Sequence, residues 1–269
     1  MFFWIYDYPS AMSGAVFAAV FVGVTWFGII VFRPLVRSWI HGKRSANDMV
    51  GFAFSGFSVL YGLLLGLLAV AAYQNFSSVS DLVDKEASDV ASLYRDTEGF
   101  TEPMKSVLQR ELREYTRFVI EKAWPEQRKG IVPTGGAETA LANDLMTFKP
   151  QDRSEEITFA EALHEFNAFV EIRRERLANV TTGIPAVLWW VVGLGAALNI
   201  ILIWMFDMEI HVHLILGGVL ALFLGTVIFL IAALDNPFRG EVSVGPDAFQ
   251  LVYDNLMKVD EGKEPSAVK

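Results

Sequence analysis

Hydrophobic and polar positions follow two different patterns along this chain. Four stretches of 22 to 25 residues contain no Asp, Glu, Lys or Arg: Ala11 to Phe32, Val50 to Tyr73, Ile184 to Phe206 and Ile210 to Leu234. A helix rising ~1.5 Å per residue needs about 20 apolar residues to cross a hydrocarbon core ~30 Å thick, so each stretch predicts a membrane span. Between the second and third spans, apolar residues recur at helical spacing with charges between them. The fold class that follows is all-α, an integral membrane protein with four transmembrane helices and a helical-bundle insert between the second and third spans. The predicted divisions are a first transmembrane pair at 1–75, a soluble insert at 76–183, a second transmembrane pair at 184–234 and a juxtamembrane tail at 235–269.

The insert resolves into separate helical patterns. Val79, Leu82, Val83, Ala87, Val90, Leu93 and Tyr94 recur without Pro or Gly until Gly99, which predicts that the second span runs on as one helix for about 70 Å from Val50 to Asp96. A second helix opens near Pro103, repeats Leu108, Leu112, Tyr115 and Val119, and is expected to stop at Trp124-Pro125. Gly130, Pro133, Gly135 and Gly136 predict a loop, followed by a short helix from Ala137 to Met146. A third long helix after Pro150 carries Phe159, Leu163, Phe166, Val170 and Leu177 as an apolar stripe, and Gly183-Ile184-Pro185 predicts a kink or fresh start before the third span.

Composition sharpens this picture. Hydrophobic residues make up 53% of the 269, a surplus that faces lipid. There is no cysteine, which excludes disulfides, thiolate metal sites and cysteine nucleophiles. Of the net charge of -9, the insert carries the larger part, with 20 Asp/Glu against 14 Lys/Arg, so nucleic acid is not an expected partner. Orientation stays open. Arg33, Arg37, Lys43 and Arg44 lie in the first loop, while Lys85, Arg95, Arg173, Arg174 and Arg176 flank the spans on the insert side, and the two counts nearly cancel.

The second span has the most specific pattern. Gly51, Ser55, Ser58, Gly62, Gly66, Ala69 and Tyr73 follow at steps of three and four, so small residues line one face for the whole crossing. Such a face has two readings: close packing of helices, or the border of a water-filled path when repeated around a symmetric ring. Gly217, Ala221 and Gly225 in the fourth span and Gly193 and Ala197 in the third predict packing contacts. Asn199 needs a partner on a neighbouring helix.

Other polar groups promise less chemistry. His211 and His213 read as interfacial anchors, and with His41 and His164 they form no metal-ligand spacing. Glu86 and Arg95, close to the apolar seam of the insert, are a candidate buried pair. No phosphate loop, nucleophile elbow or triad is present, so neither enzymatic activity nor a cofactor or metal is expected. In the tail, Asp235 and Pro237 end the last span, Phe238 and Arg239 are expected at headgroup level, and Pro246 opens a helix bearing Phe249, Val252 and Leu256.

The segments LYGLLLGLLAVAAYQNF, EASDVASLYRDTEGF, LREYTRFVIEKAWP and LDNPFRGEVSV resemble the bestrophin-like domain family of bacterial membrane proteins, over nearly the whole chain. The resemblance implies a homo-oligomer in the bacterial cytoplasmic membrane, pentameric in bestrophins, with the second span lining an axial pore and the insert in the cytoplasm. Projecting the bulky neck residues of bestrophins onto this span lands near Ser55, Val59 and Leu63, where the chain departs from that apolar, aromatic-rich pattern. With no Lys or Arg inside any span, no local residue insists on anions. The leading expectation is therefore an oligomeric, channel-like protein whose partners are the lipid bilayer, further copies of itself and small ions. The alternative is a non-conducting scaffold or sensor whose insert binds a protein partner.

Overall fold

The computed structural model describes residues 3–40, 44–133 and 137–261. His41 and Lys43 of the first loop, and Gly135 and Gly136 of the insert loop, lie outside the described residues. The chain forms two compact units. The first comprises residues 1–75, 183–235 and 240–242, and the second residues 76–182, 236–239 and 243–269. Described residues include no strand.

In the first unit, α1 (Ser10–Ile40), the N-terminal part of α2 (Arg44–Asp96), α7 (Ala186–Trp204) and α8 (Ile210–Leu234) are the four helices long and apolar enough to cross a membrane. Lipid tails are as apolar as Leu, so these helices gain little from hiding side chains and associate by close packing instead. Glycine supplies the closeness. A Cβ on Gly217 would stand 2.8 Å from Ile29 Cδ1, and one on Gly225 3.1 Å from Phe21 Cβ and 3.2 Å from the Phe17 carbonyl oxygen. These positions on α8 admit α1, as their spacing predicts. On α7 the contact differs from expectation: a Cβ on Gly193 would meet nothing within 4 Å, whereas Gly195 is the residue that receives the Tyr61 ring of α2. Tyr61 then donates its hydroxyl to the Val192 carbonyl at 2.7 Å.

Several polar groups of these helices find partners within the unit, though the buried Thr25 Oγ1 has none among the described residues. Asn199 Nδ2 donates to Ser58 Oγ at 3.3 Å, which supplies the neighbour that Asn199 requires. His213 is buried with Nε2 2.9 Å from the Ile203 carbonyl oxygen, a core position rather than the interfacial anchor expected of it. Asp235, just past α8, accepts from the Ile184 N–H at 2.5 Å and from Trp189 Nε1 at 3.3 Å, so one carboxylate satisfies a donor at the entry to α7 and fixes its first indole.

The second unit is built on the C-terminal part of α2, with α3 (Met104–Phe118), α4 (Trp124–Arg128), α5 (Ala137–Thr147), α6 (Arg153–Ala178) and the tail helices α9 (Asp247–Val252) and α10 (Lys258–Glu261). α2 is continuous over 53 residues, about 80 Å of helix. Its Val79, Val83, Ala87, Val90 and Tyr94 share one core with Leu108, Leu112, Tyr115, Phe166, Phe169, Phe238 and Phe249.

Two local patterns depart from the sequence reading. Pro125 does not stop the helix that begins at Met104, because a π turn over Val119–Ala123 widens the ladder where a proline without N–H would otherwise break it, and the chain stays helical to Arg128. It ends at Gly130, whose positive φ of 74° and contact with the Arg239 guanidinium both favour glycine. On α6 the buried line is Ala162, Phe166, Phe169, Ile172 and Arg176, while Phe159, Leu163, Val170 and Leu177 of the expected stripe are only half-buried. The centre of the face is displaced because the polar Arg176, with a buried acid to receive it, belongs to the core.

Two outcomes test this packing. Gly195→Leu should overpack the α2–α7 contact and cost about 1–3 kcal/mol, read as a lower melting temperature in detergent. In the second unit, burial and then a hydrogen bond with Asp144 raise the Glu111 carboxyl to about 7 from 4.5. Between those pH values the unfolded carboxyl is already ionised while the folded one keeps its proton, so stability should fall as pH rises through that window and level off above it. Glu111→Gln should flatten this dependence in thermal unfolding followed between pH 5 and 8.

Candidate functional site: the second span and the buried charge pair

α2 presents two different sides within the first unit. Tyr61, Leu65, Leu68 and Ala72 are buried against the unit's own helices. Most of the small-residue face is not. Ser55, Gly62, Gly66 and Tyr73 are exposed, Gly51, Ser58 and Ala69 half-buried, and Cβ atoms on Gly62 and Gly66 would meet nothing within 4 Å. Val59 and Leu63 beside them are exposed as well, at 71% and 62%. Of the two serine hydroxyls on this face, Ser58 is held by Asn199 and Ser55 projects from the unit. Within one chain, then, only the edge of the stripe at Gly51, Ser58 and Ala69 is partly covered, and the residues that pack most fully lie on the adjacent side of the helix.

The pairing of Glu86 is corrected by the structure. Glu86 is fully buried, but its partner is Arg176 of α6, and Arg95 is exposed. Arg176 grips the carboxylate with two nitrogens, Nε donating to Oε2 at 2.5 Å and Nη2 to Oε1 at 3.0 Å. Its third nitrogen, Nη1, donates to Gln127 Oε1 at 2.7 Å, and the Tyr115 hydroxyl donates to Glu86 Oε1 at 2.6 Å. The guanidinium lies 5.2 Å from the Trp124 ring centroid and 5.9 Å from that of Phe249. The neighbouring carboxylate holds the Arg176 pKa above its ordinary value against the opposing effect of burial, and burial beside the Glu86 charge raises that of Tyr115. One turn of α2 is thereby tied to α3, α4, α6 and α9. Closeness to the apolar seam favoured Arg95; the arginine that pairs is 90 residues away, and only its place in the RRER run just before the third span hinted at it.

The juxtamembrane motif divides between two roles. Asp235 caps the entry to α7 as described. Phe238 is 1% exposed, with its ring 5.8 Å from Trp124 in the aromatic core of the second unit, and is thus no headgroup anchor. Arg239 Nη2 donates to the Lys129 carbonyl at 2.9 Å, and the Pro237 carbonyl accepts the Val244 N–H at 2.8 Å. These bonds set the tail in place beside α4, where Trp124 Nε1 donates to the Val244 carbonyl at 3.1 Å.

The bestrophin-like domain matches residues 19–249, which takes in the small-residue face, the buried pair and the juxtamembrane motif. The chain belongs to the bestrophin-like family. No curated protein and no solved structure matches it. Family membership and four apolar helices make this bestrophin-like protein an integral membrane protein.

The buried pair has a measurable consequence. Arg176→Met strands the Glu86 carboxylate in an apolar core and should cost about 3–5 kcal/mol, whereas Glu86→Leu combined with Arg176→Met should recover much of that loss. Chemical unfolding followed by tryptophan fluorescence measures both, since Trp124 lies against the guanidinium.

Proposed function

We propose that this bestrophin-like protein is an oligomeric channel that passes small ions along a path bordered by α2 of each subunit. One observation carries the reading: the face bearing Ser55, Gly62 and Gly66 is left uncovered by the subunit's own helices, although it runs the length of a membrane crossing. An uncovered face of bare backbone with the exposed hydroxyls of Ser55 and Tyr73 is poor at attracting lipid tails and suited to a narrow wet path formed by symmetric copies. Family membership supports the same reading. The absence of Lys and Arg from the four uncharged stretches leaves ion selectivity to backbone dipoles and hydroxyls, so small ions in general, and anions as one case, are the proposed cargo.

Gly62 offers a clean test, because a Cβ added there meets no atom of its own subunit within 4 Å. Purified protein in liposomes should support ion flux, and Gly62→Leu should lower it several-fold with an unchanged melting temperature. Impermeable wild-type vesicles would overturn conduction and favour a scaffold whose insert binds a partner. Flux insensitive to Gly62→Leu would remove α2 from the path.

A further inference from the structure

The line of residues that carries Gly62 does not end with the span. Beyond Tyr73 its steps of three and four continue along α2 through Ser77, Ser80, Asp84 and Ser88, so hydroxyls succeed the glycines and one charge stands among them. Asp84 is 22 residues past Gly62, about 40° beyond six full turns, and therefore on the same face of one unbroken helix. Its carboxylate is exposed and makes no hydrogen bond or ion pair among the described residues. The charges around it offset one another. Asp81 and Lys85, of opposite sign, lie farther round the helix, at about 100° and 140° from Gly62. At the other end of the line stand Arg44 and Asp48, one turn apart and again opposite in sign. Asp84 is thus the uncompensated charge of this face.

We infer that the path passes cations in preference to anions and that Asp84 is the residue that selects them, an inference that rests on the α2-bordered path proposed above. Within the span nothing chooses a sign. The uncovered face offers backbone and the hydroxyls of Ser55 and Tyr73, and a hydroxyl can turn either its proton or its lone pairs towards an ion. The choice therefore falls to the first uncompensated charge on the same face. Asp84 lies 11 residues past Tyr73, about 16 Å of helix, and so stands clear of the uncharged stretch, where hydrocarbon would penalise a charge. Symmetric copies that turn their Gly62 faces to a common axis turn their Asp84 carboxylates to it as well, one from each subunit. Such a ring concentrates cations at the entrance and repels anions from it. No Lys or Arg occurs on the line between Asp48 and Ser88 to reverse the sign.

The test measures the reversal potential of the full protein in planar bilayers of phosphatidylcholine, a lipid without net charge, under a gradient of KCl. The permeability ratio of K⁺ to Cl⁻ follows from it. At about 0.1 M salt, where a charge is felt over ~10 Å, the wild type should favour K⁺ several-fold, and at about 1 M, where it is felt over ~3 Å, that preference should shrink towards equality. Asp84→Asn should lower the low-salt ratio several-fold, Asp84→Lys should turn it in favour of Cl⁻, and Asp84→Glu should preserve it. Because Asp84 has no partner among the described residues, the melting temperature of these variants should stay unaltered. The salt dependence of the wild type reads the same charge without any substitution. Equal passage of both ions, or a preference for Cl⁻, would overturn the inference while leaving a conducting path in place. So would a preference for K⁺ that Asp84→Asn leaves unchanged, since the selecting group would then lie elsewhere. Impermeable wild-type bilayers would remove the path itself, and the inference with it.

Discussion

Inside a hydrocarbon layer no water is available to satisfy a polar group, and this constraint governs the whole first unit. Backbone amides are satisfied by forming helices, which is why four uncharged stretches become four long helices without any help from a hydrophobic force between them. Several side-chain donors obey the same rule. Tyr61 gives its proton to the Val192 carbonyl, Trp26 to that of Leu214, Trp204 to that of Thr25, and Asn199 to the Ser58 hydroxyl. Each bond links two helices, so the need to satisfy a few polar atoms also sets which helices meet and at what rotation. Glycines then decide how closely. Gly217 and Gly225 let α1 lie against α8, and Gly195 makes room for the Tyr61 ring whose hydroxyl bonds one turn earlier on the same helix.

The second unit is organised differently. Here a hydrophobic core exists, yet its centre is ionic. Glu86 and Arg176 repay the cost of burial only because every nitrogen of the guanidinium that the geometry uses has an acceptor and because two aromatic rings cover it. A pair of this kind is a demanding way to fill space, since an alternative packing that separates the two charges is heavily penalised. It fixes the register of α6 against α2, and through Trp124 and Phe249 it brings α4 and the tail into the same arrangement. Because α2 contributes residues to both units as one unbroken helix, the part of it that carries the small-residue face continues directly into the part that holds Glu86.

What was legible in the sequence follows from this division. Length and the absence of charge are sufficient to identify a membrane helix, because the penalty for a charge in hydrocarbon is large and local, so the four spans and the all-helical class needed no tertiary information. The small-residue face was equally visible, since helical spacing places Gly62 and Gly66 together whatever surrounds them. Whether that face is covered depends on where the other helices lie, and the structure leaves most of it open while burying the adjacent side of α2. Periodicity identified the glycines of α8 as packing residues but selected Gly193 over Gly195 on α7, two positions that face different neighbours. The ion pair was the harder problem: closeness to the apolar seam suggested Arg95 for Glu86, but a buried charge takes the partner whose guanidinium the core can enclose, and that residue came from a distant helix. Phe238 was drawn to the interface by its place after the last span and lies instead against Trp124, a ring supplied by another element. The sequence alone thus determined the medium, the number of spans and the face of α2, all consequences of local composition and a 3.6-residue period. Tertiary structure alone decided which faces are covered and which charges meet, because those outcomes depend on distances between residues remote along the chain.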